Sequence, residues 1–111
     1  MKLSNRFPSK VKEFWIGWYV CLSCMRSHSN CLHHIMSPSS MDYVKGKHNE
    51  SIYNSCPLNN EECHLYKPLH NFNKQKELLL KVKSIIDISD YKIDDNDKKF
   101  LEVYKKYYKN G

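Results

Sequence analysis

Five cysteines and six histidines in 111 residues are the groups here that could do chemistry. Cys21 and Cys24 form a Cys-x-x-Cys pair, the separation at which one turn can aim two thiolates at a single zinc ion. Two further ligands would close a tetrahedral site. Cys56 and Cys63 are the candidates for them, with Cys31 a nearby competitor. The same thiols could instead fill small buried apolar positions or form a redox pair. The redox use is the weaker one, because such a motif ordinarily opens a helix after a strand, whereas Cys21-x-x-Cys24 follows a helical stretch and enters the polar residues 27–30.

His33 and His34 are adjacent, and adjacent residues of an extended strand point to opposite faces. One imidazole can then face a metal while the other takes a proton from water, a task suited to a base that titrates near neutrality. Either histidine alone is an ordinary core or surface residue. With His64 they make a candidate site.

Positioning these groups falls to a short series of elements. Residues 8–20 read as a helix whose face of Val11, Phe14, Trp15, Trp18 and Tyr19 would cover a sheet, a more economical use of the tryptophans than stacking on bases. Residues 21–35 read as a knuckle turn and a strand, 36–50 as loop, and 51–58 as a second extended segment. Asn59 is spaced to cap a helix with Glu62 as its reciprocal partner; that helix would hold Cys63 and His64 and end near Lys67, before Pro68. Apolar periodicity predicts two more helices near 74–87 and 97–109, joined by the acidic residues 87–97. On the last of these, Tyr104, Tyr107 and Tyr108 could meet a partner, but packing on the preceding helix is the simpler use.

In order, Cys21-x-x-Cys24, Leu32-His33-His34-Ile35, Asn54-x-x-Pro57-Leu58 and Cys63-His64 resemble the HNH, or ββα-metal (His-Me finger), nuclease motif, in particular its small zinc-containing phage and prophage forms. The resemblance covers residues 20–70. It implies an α+β fold: a small ββα-metal core with flanking helices and a structural zinc site. Residues 1–19 and 71–111 carry no part of the resemblance; their own apolar periodicity predicts an N-terminal helical flank and a helical hairpin packed on the core. The resemblance further implies that His33 is a metal ligand, His34 the general base, Asn54 the residue that orients this base through backbone contacts, and His64 a second metal ligand. One catalytic divalent cation (Mg²⁺, Mn²⁺ or Ni²⁺) and a structural Zn²⁺ are the cofactors implied. Many relatives carry Pro-Leu-Cys-x-x-Cys-His, whereas Leu58 is followed here by Asn59, so Cys56 is expected to stand in for the missing cysteine. Relatives often place another histidine or asparagine one turn after the helix histidine. Pro68 occupies that position, and His70, beyond the proline break, is either the alternative metal or phosphate contact or a surface histidine with a local structural role.

Composition permits this function without requiring it. A formal charge of +6, shared evenly between residues 1–70 and 71–111, suits a polyanionic partner and excludes a basic tail. Lys45, Lys47, His48 and Lys67 could meet DNA phosphates, binding the backbone without reading sequence, or simply solvate loop and helix ends. No apolar run is long enough to span a bilayer, and residues 14–22 lack the features of a signal peptide, so the expectation is no membrane partner and a cytoplasmic location, the host cytoplasm if the chain is phage-encoded. The leading expectation is an HNH-type DNA endonuclease in phage or prophage recombination or processing, with a protein partner or homodimer open. The alternatives are a noncatalytic zinc module binding nucleic acid or protein, and a zinc-stabilised assembly component.

Overall fold

The computed structural model describes residues 7–59 and 71–109. Their architecture is α+β: a two-stranded antiparallel sheet and three flanking helices. The helix expected after Asn59, with Cys63 and His64, falls outside the described residues, as do Lys67 and His70.

Helix α1 spans Ser9–Trp15 and starts from Pro8, whose carbonyl receives the amides of Val11 and Lys12. It is shorter than the helix expected over 8–20. Gly17 gives up the most backbone freedom in a helix, and the chain turns there instead, with the amide of Trp18 on the carbonyl of Trp15. Residues 18–20 are then free to join the knuckle, where Val20 bridges His28.

Strands β1 (Cys31–His34) and β2 (Ser55–Leu58) pair in the register Cys31 with Leu58, Leu32 with Pro57, His33 with Cys56 and His34 with Ser55. Because side chains alternate, Cys31, His33, Cys56 and Leu58 share one face, and Leu32, His34, Ser55 and Pro57 the other. Helix α1 covers the second face, where fully buried Trp15 donates its indole N–H to Ser55 Oγ at 2.7 Å. The expected covering role of this helix therefore holds, and Trp15 is closed to base stacking.

Two 3₁₀ turns, Lys47–Glu50 and Ile52–Asn54, lead into β2. Behind them lie α2 (Phe72–Asp87) and α3 (Asp95–Val103). Asn71 caps α2 by accepting the amides of Asn73 and Lys74, and the stripe Gln75, Leu78, Leu79, Val82 and Ile86 is buried. Asp94 and Asp97 form a reciprocal capping box on α3. Helix α3 stops before residue 109 and continues as a 3₁₀ turn, Lys105–Tyr108. The change of pitch turns Tyr104 and Tyr107 into the body of the protein, where the Tyr104 hydroxyl receives the Val44 amide at 3.0 Å and the Tyr107 hydroxyl donates to Asp42 at 2.7 Å. Among the described residues no helix is long and apolar enough to cross a membrane.

Candidate functional site

The knuckle is built by its own backbone. The Cys21 amide donates to the Ser27 carbonyl and the Met25 amide to the Cys21 carbonyl, both at 2.9 Å. Closing so tight a loop puts Met25 at φ 58°, a left-handed conformation that disfavours any residue with a side chain. The loop then aims the Ser27 amide at Cys24 Sγ, 3.3 Å away. The sulfur thus accepts a backbone hydrogen bond, the kind of supporting contact that holds a metal ligand in place.

This loop is anchored to the sheet and to α2. The Leu22 amide meets the Pro57 carbonyl of β2 at 3.0 Å, while Lys81 and Lys74 donate to the carbonyls of Leu22 and Ser23. Cys21 and Cys56 are both fully buried, and Cys24 is half-buried. The donor chemistry of Cys21 and Cys24 fits structural zinc. Cys56 lies one residue from the Pro57 anchor, on the face it shares with His33 and Cys31. Among the described residues no three His, Cys, Asp or Glu side chains group so as to hold a metal ion. The expected sets also call on Cys63, His64 and His70, outside those residues.

His34 ends β1 with its side chain 12% exposed. Phe7 stacks on the imidazole with ring centroids 4.0 Å apart and planes 15° from parallel. Both carboxylate oxygens of Glu50 lie 3.3 Å from Nε2. The two residues border a pocket of about 60 Å³ that Ser37, Tyr43 and Asn49 also line.

Asn54 stands where the second 3₁₀ turn enters β2 and is completely buried. Its Oδ1 accepts the Met36 amide at 2.6 Å, and its Nδ2 donates to the carbonyls of Met36 at 3.0 Å and Asn49 at 2.9 Å. The Ile35 amide meets the Asn54 carbonyl at 2.9 Å. One side chain thus ties the exit of β1 to the turn that carries Asn49 and Glu50, and so sets the spacing between His34 and Glu50.

Lys45, on the loop before this turn, and Lys47, its first residue, are exposed, and His48 is not. Both expectations for His48, a phosphate contact or a solvated loop residue, are therefore corrected: the residue is 2% exposed and tilted against Tyr104. Its neighbour Gly46 has no side chain to displace it, and the ring fills that space. Burial lowers the His48 pKa from its ordinary value; the Val44 carbonyl opposes the shift and the charge of Lys99 adds to it.

Sequence reasoning missed Glu50 and Phe7. Neither belongs to a periodic element or a motif, and only proximity across the fold marks them. No family model matches the chain, and neither a curated protein nor a solved structure matches it.

Proposed function

We propose that this chain is a small metal-dependent endonuclease of the HNH type, hydrolysing phosphodiester bonds in DNA with His34 as general base. The observation that carries the reading is Asn54, fully buried and hydrogen-bonded to the backbone on both sides of the loop that ends β1 at His34. The knuckle, with its amide directed at Cys24 Sγ, supports the zinc half of the same reading, in which Cys21 and Cys24 join Cys56 and Cys63.

A divalent cation held by His33 and His64, with His70 a further candidate, would supply charge to the phosphate oxygens and to the departing 3′ oxygen. His34 takes a proton from the attacking water, whose oxygen forms a bond to phosphorus as the bond from phosphorus to the 3′ oxygen breaks; that oxygen leaves with the electron pair and is protonated from solvent. Asn54 holds the loop so that the imidazole does not swing. Exposed Lys45 and Lys47 approach the DNA backbone through charge alone, so affinity falls as salt rises. A role in phage or prophage DNA processing, in the cytoplasm, is the setting that fits this chemistry.

The test is nicking of supercoiled, linear and branched DNA by metal-stripped protein, to which Mg²⁺, Mn²⁺ or Ni²⁺ is then added. Cleavage should appear with the metal and drop on the order of 10²- to 10⁴-fold in His34→Ala, with DNA binding retained. Folded protein that cleaves none of these substrates with any of the metals rules the reading out.

A further inference from the structure

A carboxylate can only accept hydrogen bonds, and that makes Nε2 of His34 the donor in its contact with Glu50. Both Glu50 oxygens sit 3.3 Å from Nε2, so the hydrogen in this contact belongs to the imidazole. In the neutral ring the lone pair is then on Nδ1. Phe7, stacked nearly parallel on the face of the ring, restricts its rotation away from that contact.

Glu50 is not a chance surface partner. It closes the 3₁₀ turn Lys47–Glu50, whose Asn49 carbonyl is held by Asn54 Nδ2 and whose Asn49 amide nitrogen Nδ2 donates to Val44 at 2.7 Å. The Tyr104 hydroxyl donates to Asn49 Oδ1 at 2.9 Å, so α3 and its following turn brace the same segment. Glu50 thus stands on a turn locked on both sides, and His34 stands on a strand end locked by the same Asn54.

We propose that Glu50 is a positioning residue for His34, holding the imidazole in the Nε2–H tautomer so that Nδ1 is the nitrogen that receives the proton from water. This inference rests on the nuclease reading for its consequence, but the tautomer itself does not. A carboxylate behind an imidazole does the same work in hydrolases of unrelated fold, by orienting the ring and selecting its tautomer.

The experiment uses the full chain, loaded with zinc and Mg²⁺, and has two readouts. Long-range ¹H–¹⁵N spectra at mildly alkaline pH, with the His34 signals assigned by their loss in His34→Gln, report which nitrogen carries the hydrogen. They should show Nε2–H in the unaltered protein and a mixture of tautomers in Glu50→Gln and Glu50→Ala. Cleavage by both variants should fall about 10- to 100-fold in kcat, the scale on which supporting groups act, with KM for DNA unchanged. Glu102→Gln, which alters an exposed carboxylate of α3 paired with Lys105 of the following turn, should change neither readout. A His34 spectrum that is the same with and without Glu50, in a protein that cleaves DNA, overturns the role of Glu50 alone. Absence of cleavage by the folded, metal-loaded protein overturns the nuclease reading, whatever the spectrum shows.

Discussion

Asn54 closes a two-bond clasp on Met36, accepting its amide at 2.6 Å and donating to its carbonyl at 3.0 Å. The clasp is sealed from water, so these backbone groups have nowhere else to turn if the side chain is lost.

Asn54→Ala therefore strands a buried amide and weakens the hold on the Asn49 turn. Each unsatisfied buried group costs about 1–3 kcal/mol, so the variant should lose on the order of 3 kcal/mol and melt roughly 10 °C lower or more. Asn54→Asp keeps the acceptor for Met36 but sets a carboxylate against two carbonyl oxygens. It should also be destabilised, and should recover part of the loss as acid neutralises the group. Thermal melts of the two variants across pH check both statements.

Gly46 and His48 make a tighter relationship. A Cβ at position 46 would lie 2.7 Å from both Cε1 and Nδ1 of His48, whose ring is buried. Gly46→Ala should cost about 1–3 kcal/mol through overpacking, as denaturant unfolding would measure. Gly17→Ala, where a Cβ meets nothing within 4 Å, is the matched control.

The same histidine sets an acid limit to stability. Its folded pKa is below the ordinary 6.5, so the unfolded chain binds the proton first as pH falls. Stability is unaffected above about 6.5 and declines below it until the folded value is reached, by at most about 1.4 kcal/mol per pH unit for one proton. His48→Leu should remove about one proton from the acid slope of the unfolding free energy. An identical slope in the two proteins would mean that His48 charges as readily in the folded state as in the unfolded one.

Ser55→Ala leaves the Trp15 indole N–H in a dry interior without its partner. The expected loss is about 1–3 kcal/mol, with a change in tryptophan emission as the local readout. Trp15→Phe in the same background should add less than it does alone, since the hydrogen bond is already gone.

Zinc content tests the knuckle. Cys24→Ser should abolish binding of zinc at unit stoichiometry and lower the melting temperature of the protein as isolated, and a strong chelator should lower it similarly in the unaltered protein. Full zinc occupancy in Cys24→Ser would remove the knuckle from the ligand set.

Much of this was legible in local pattern. The Cys21-x-x-Cys24 turn, the strand with His33 and His34, the loop that follows it, and the stripe of Leu78, Leu79, Val82 and Ile86 follow from spacing, because a turn, an extended strand and a helix each repeat over a few residues. Element ends were less so: Gly17 stopped α1 early, a 3₁₀ turn over Ile52–Asn54 delays the second extended segment to Ser55, and the last helix ends at Val103 and passes into a 3₁₀ turn.

His48 looked like one more basic loop residue, yet whether a side chain in a loop meets water or protein depends on what α3 brings over it. Glu50 and Phe7 are 16 and 27 residues from His34 along the chain, and no repeat or motif links them to it. The chain's own order decided which residue types could do the chemistry and which short elements would carry them. Only the folding of distant segments onto one another decided which carboxylate and which ring would hold His34, because contact between segments depends on the packing of the whole core and not on separation along the chain.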